Sequence, residues 1–263
     1  MTDLRLELEA LARAYPAALV EHELQDVPRI AHHARLVLER CGTGARVCDV
    51  GGGIGMLAPA LAGLGAHVTL VDDFADPVNA AVGGSVLDLH RARGVVVIRR
   101  DVVEEGLELE PQSLDCVTSF DSLEHWHHSP RPLLQSLVAA LRPSGWLILG
   151  APNRVNARKR LTTPFGRNEW SPFAEWYEPA RFRGHVREPT TGELRHIATD
   201  LGLEAVTVWG RNWLGLTAGS AAVRAISRLA DRPLRLAPSL CSDIYVAGRK
   251  PPMADTSSRA RAR

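Results

Sequence analysis

The chain has 263 residues, 45% of them hydrophobic and 23% charged, with a formal net charge of +1. This composition fits a globular domain with a sizeable core and excludes a disordered or fibrous chain. No run approaches the roughly 18 apolar residues that a membrane-crossing helix needs. The acidic, helix-patterned start lacks the basic and then apolar stretches of a secretory leader. The four cysteines, at 41, 48, 116 and 241, form no C-x-x-C pair. Neither a disulfide framework nor a zinc site is therefore expected, and the expected location is cytoplasmic.

Two helical segments come first, with apolar spacing at Leu4, Leu8 and Leu11 and at Ile30, Ala34 and Val37. They predict a helical N-terminal cover over residues 1–45. Residues 46–50 read as a buried strand that runs into Gly51-Gly-Gly-Ile-Gly55. A helix is predicted over 54–64, closed by Gly65, and a strand over 68–71. Asp76-Pro77 starts a further helix. Strands are predicted at 95–98, 114–120 and 146–149, with a helix from 130 to 141 whose N-cap is Ser129. This alternation predicts an α/β fold: a mostly parallel sheet with helices on both faces.

The rhythm breaks at 152–189, rich in Pro, Arg and aromatic residues, which reads as a lid insertion. Thr190-x-x-Glu193 is a capping box opening a helix that Gly202 ends. Strands are expected at 203–209 and 244–247, with a second insertion at about 210–240. The main domain then spans 46–250, and the Arg-rich tail at 251–263 is expected to be disordered.

The turn after the first strand is chemically informative. A dinucleotide site wants G-x-G-x-x-G, so that a pyrophosphate can sit on the helix N-terminus. Counted from Gly51, that pattern needs glycine at 56, where Met56 stands. The chain instead has G-x-G-x-G, with Asp49 two residues before the first glycine. Val47 to Gly55 resembles V-L-D-x-G-x-G-x-G, the first motif of the class I methyltransferases that use S-adenosylmethionine (SAM). Further matches follow in order. Asp72 ends the second strand, Arg100-Asp101-Val102 follows the third, and Ser119-Phe-Asp-Ser-Leu-Glu-His125 ends the fourth. Leu141-Arg-Pro-Ser-Gly145 resembles the family's L-x-P-G-G turn, with Ser144 in place of the first glycine.

The resemblance implies a Rossmann-like, seven-stranded, mostly parallel sheet and SAM as cofactor, with S-adenosylhomocysteine as product. It implies that Gly51, Gly53 and Gly55 shape the cofactor turn and that Asp49 helps hold the ammonium end. Asp72 would accept from the ribose hydroxyls. Asp101, with Val102 beside it, would meet the adenine, and Phe120 would line the pocket.

Leu123-Glu-His125 is similar to a pattern in the group that includes the ubiquinone-biosynthesis O-methyltransferases. This implies a small-molecule acceptor, methylated on a hydroxyl oxygen. His125 is then a candidate general base or acceptor-orienting group, with a local loop-holding bond as its alternative. His185, in Gly184-His-Val-Arg187, is the second catalytic candidate, with a structural role as its favoured alternative. His125, His127 and His128 cannot all point one way from a short loop, so no metal site is expected.

Residues 1–150 carry 12 Lys+Arg against 20 Asp+Glu, whereas residues 151–263 carry 19 against 10. Arg224, Arg228, Arg232 and Arg235 recur at helical spacing beside Val223, Ile226 and Leu229, although Pro233 is expected to end that helix. Such lids suit a membrane surface or an anionic substrate, or form a solvated face. An RNA or protein methyltransferase and a non-catalytic SAM-binding regulatory protein are the alternatives. No RNA-binding module is recognisable in the chain, and a nicotinamide oxidoreductase ranks last because of Met56.

Overall fold

The computed structural model describes residues 2–167, 171, 173–179, 182–217 and 219–253. The expected disorder of the tail therefore falls, from residue 254 onward, outside the described residues. Seven strands are found among them: β1 (Arg46–Val50), β2 (His67–Asp72), β3 (Val96–Arg99), β4 (Leu114–Phe120), β5 (Leu141–Pro152), β6 (Glu204–Arg211) and β7 (Asp243–Arg249). They form one sheet in the order β3-β2-β1-β4-β5-β7-β6. β7 runs antiparallel to β5 and β6, and the other pairs are parallel.

Alternation along the strands sends their side chains into two cores. Val47, Val68, Leu70, Cys116 and Ile148 pack with α1 (Thr2–Arg13), α2 (Ala17–Cys41), α3 (Leu57–Gly63) and α4 (Pro77–Ala92). Val50, Val71, Val117, Leu147 and Leu149 pack with α5 (Val102–Glu105), α6 (Pro130–Ala140) and, further along, α9 (Thr191–Asp200). Met56 is fully buried in the first core, so the position that a dinucleotide site would give to glycine is filled by a packing side chain.

Several predicted ends are met by their bonds. Ser129 Oγ accepts from the Arg131 amide. Thr190 Oγ1 accepts from Glu193 N at 3.3 Å, while Glu193 Oε2 accepts from Thr190 N at 2.7 Å. Three boundaries differ from expectation. α3 starts at Leu57 rather than 54, because Gly53 has φ +55° and Gly55 N turns back to Gly52 O at 3.2 Å. β5 begins at Leu141, five residues before its expected start at 146, and its pairing with β4 shifts register between Leu114 and Cys116.

The third difference is Pro233, which lies inside α11 (Ala221–Arg235) instead of ending it. A proline removes a single amide from the ladder, and Arg235 Nε, 3.1 Å from Asp231 Oδ1, ties the last turn across it. The segment expected to be an aperiodic lid contains the short helices α7 (Ala157–Thr162) and α8 (Phe173–Tyr177), and a further short helix, α10 (Trp213–Leu216), precedes α11. No helix among the described residues is long and apolar enough to cross a membrane.

Candidate active site

β1 pairs with β2 on one side and β4 on the other, so the strand order reverses there and opens a crevice beyond the carboxyl ends. A cavity of about 330 Å³ lies at this place. The β1–α3 turn brings Gly51, Gly53 and Ile54 to it, β2 ends in Asp72 and Asp73, and β3 leads to Arg100, Asp101, Val102 and Val103. Asp121, Ser122, His125, Trp126 and His127 line it after β4, with Asp76 and the lid residue Arg183. Gly51 has φ +74°, and a Cβ there would run into the Ser122 side chain. At Gly53, with φ +55°, an added Cβ would meet nothing, so this backbone faces open cavity.

Asp72 Oδ2 accepts from Gly53 N at 3.0 Å and Oδ1 from Phe74 N at 2.6 Å. This locks the second strand end against the glycine turn. Burial raises the Asp72 carboxyl, partly offset by those two amides. Asp49 lies outside the lining, beneath the turn, and is 2% exposed. The Thr118 hydroxyl donates to it at 2.7 Å, and burial pushes it up to about 6. Asp101 lines the cavity and also caps α5, with Oδ1 accepting from the Val103 and Glu104 amides. Gly55 is outside the lining.

Phe120 departs from the expectation that it lines the cofactor pocket. Its ring stacks on His33 of α2 at 4.0 Å and 7°, because strand alternation sends it toward the helical cover. Asp121, with φ +50°, turns the chain after it and pairs with Arg29 of the same cover helix.

The lid then returns to the loop after β4. Val186 N donates to Glu124 O at 2.7 Å, and Arg183 Nη1 donates to Asp73 Oδ2 at 3.0 Å across the cavity. His125 and His185 meet edge to face at 4.8 Å. His125 Nδ1 lies 2.8 Å from the Arg183 carbonyl. A carbonyl only accepts, so Nδ1 carries the proton and a neutral His125 keeps its lone pair on Nε2. Burial lowers the His125 pKa, against the raising effect of that bond. His185 Nδ1 is 2.9 Å from Glu188 Oε1, which leaves its Nε2 4.0 Å from Glu124 Oε1. Burial raises the Glu188 carboxyl, but hydrogen bonds from His185 and Lys159 outweigh it and hold it below the ordinary range.

Glu124 is 1% exposed, and neither of its carboxylate oxygens has a hydrogen-bond partner. Burial, then repulsion from Asp121, holds it well above the usual carboxylate range. One ligand atom each from Glu124, His125 and His185 lie within 4.8 Å of one another. Each histidine is oriented by an acceptor at its other nitrogen, an arrangement that could hold a divalent cation. The expectation of no metal rested on His125, His127 and His128. His127 and His128 are exposed and His128 faces Glu104; it is the lid that completes this group with His185. Glu124, Arg29 and Arg183 were not singled out by local pattern, since their partners are distant in the chain, and Asp73, which strand alternation sets apart from Asp72, lines the cavity beside it.

Five aspartates against two arginines in the lining favour a cationic ligand over a pyrophosphate. A sulfonium with an attached ammonium fits that chemistry, and the open face above Gly53 accommodates it. Fold and site together define a class I SAM-dependent methyltransferase. The chain belongs to the family described as the methyltransferase domain, which matches residues 20–208, and its cofactor is SAM.

The ubiquinone biosynthesis O-methyltransferase of Paraburkholderia phymatum is 31% identical over 200 residues, covering 74% of this chain and 78% of that protein. The one from Burkholderia vietnamiensis is 32% identical over 154 residues, 55% of this chain and 63% of that protein. Among solved structures, phosphoethanolamine N-methyltransferase 2 of Haemonchus contortus in complex with SAM is 20% identical, with a TM-score of 0.54. That match covers 84% of this chain and 52% of the other. A SAM-dependent methyltransferase of Archaeoglobus fulgidus is 18% identical with a TM-score of 0.55, covering 85% and 93%. The chain thus spans less than two thirds of the Burkholderia vietnamiensis relative and about half of the Haemonchus chain.

Proposed function

We propose that the protein transfers a methyl group to a hydroxyl oxygen of a small-molecule acceptor in the cytoplasm. The observation that carries the oxygen reading is His125. It sits at the cavity with Nδ1 committed to the Arg183 carbonyl and Nε2 available as a base. Bound SAM supplies a methyl carbon already activated by its sulfonium. The protein's part is to align the acceptor, exclude water and take its proton. His125 Nε2 accepts the hydroxyl proton as the oxygen–methyl bond forms and the bond to sulfur breaks. Arg183 and Asp73 hold the lid across the cavity. The names of the relatives favour oxygen as the target atom, and four free cysteines suit a reducing compartment.

The test has two stages. Calorimetry with S-adenosylhomocysteine should show binding that Asp72→Ala weakens. Phenols, catechols, amines and RNA are then offered with labelled SAM. Label on a hydroxyl oxygen, lost in His125→Ala with cofactor binding intact, is the expected result. Label on RNA or an amine nitrogen would overturn the acceptor class, and cofactor binding without turnover of any acceptor would favour a regulatory SAM-binding protein.

A further inference from the structure

α11 turns an apolar strip to solvent. Ile226, Leu229 and Leu236 are 66%, 81% and 88% exposed, with Ala222, Ala225 and Pro233 exposed beside them. At 3.6 residues per turn these positions share one side of the helix. Arg228 and Arg232, both exposed, run along one edge of this strip, and Arg224 lies further round the helix, where it donates to Gly219 O. The helix carries a single acid, Asp231, which is buried and accepts from Asn212 Nδ2 at 2.9 Å and from Arg235. The exposed side of α11 is therefore an apolar strip with a cationic edge and no acid of its own.

Charge selects what covers such a side. A second copy docked antiparallel through the same strip would set arginine edge against arginine edge. An anionic phospholipid surface satisfies both features together, taking the apolar residues at the acyl boundary and the arginines among the headgroups. We propose that α11 lies in the interface of an anionic bilayer, as a peripheral attachment of the protein to its membrane. α11 contributes no residue to the lining of the SAM cavity, so attachment leaves cofactor binding unchanged.

The experiment is co-sedimentation of the full chain with phosphatidylcholine vesicles, with and without phosphatidylglycerol, over a range of salt. Binding to the phosphatidylglycerol vesicles alone, weakening as salt rises, is expected. Arg228→Gln and Arg232→Gln should each weaken it about fivefold. Ile226→Glu/Leu229→Glu should weaken it at least about tenfold while keeping the wild-type melting temperature and S-adenosylhomocysteine affinity, since both side chains are exposed. No binding to anionic vesicles, equal binding to neutral ones, or unaltered binding of the glutamate variant would each overturn the proposal. So would a wild-type dimer that the glutamate variant dissociates, because a second copy would then cover the strip.

Discussion

Replacing Asp49 by Asn tests the electrostatics beneath the glycine turn. The substitution keeps the shape of the side chain and an acceptor for the Thr118 hydroxyl, and removes the buried charge. In the folded protein burial, opposed by the Thr118 bond and reinforced by Asp72, moves this carboxyl from 3.8 to about 6. A raised folded-state value means that the folded chain holds the proton more tightly than the unfolded chain. The resulting stability is present in full below 3.8 and is lost as pH rises through about 6. Two units at 1.36 kcal/mol each come to about 3 kcal/mol.

Asparagine has no such dependence. Denaturant unfolding of both proteins across that window should therefore show the variant gaining about 3 kcal/mol on the wild type as pH rises. A cation placed above the turn favours the ionised form, so S-adenosylhomocysteine should also bind the wild type more tightly toward neutral pH and bind the variant with a flatter profile. Stability curves that stay parallel through the window would refute the idea that Asp49 is a desolvated carboxylate.

Two further outcomes rest on particular bonds. Lys159 and Glu188 pair in the interior, with side-chain exposures of 7% and 4%. Lys159→Met should cost about 3 kcal/mol or less, because Glu188 loses its cation at Oε2 and keeps the His185 bond at Oε1, and adding Glu188→Gln should recover most of it, as read by denaturant midpoints. Ser144 holds φ +68° in the turn within β5. Ser144→Gly should stabilise the protein by roughly 1 kcal/mol or less, read as a higher melting temperature, because glycine enters that conformation without a Cβ clash.

Signals that act over one or two turns of chain were legible before any fold was known. The apolar periodicities marked the elements, Thr190 and Glu193 marked a helix start, and Met56 set the glycine turn apart from a dinucleotide site. Asp49, Asp72 and Asp101 were legible because strand ends and their spacing are local properties, and the sheet then gathers those ends at one edge. Ser144 could be compared with a glycine in the family's turn, and its positive φ supplies the reason for glycine there.

What depends on packing between distant segments was not legible. Phe120 lies in a motif that suggests the pocket, yet the helical cover packs on the sheet face to which alternation sends its ring, and only that packing sets it on His33. Glu124 and His185 carry no shared local pattern, and they meet because the lid returns over the loop after β4. Pro233 reads as a helix end by its own chemistry, yet α11 runs past it, with its last turn joined through Asp231 to the distant Asn212. A sequence determines by itself those features whose energies come from neighbours a few residues away: periodicity, caps, turns and the charge of each strand end. The tertiary structure alone decides the rest, because burial, pKa and the meeting of side chains depend on which surfaces the folded chain presses together.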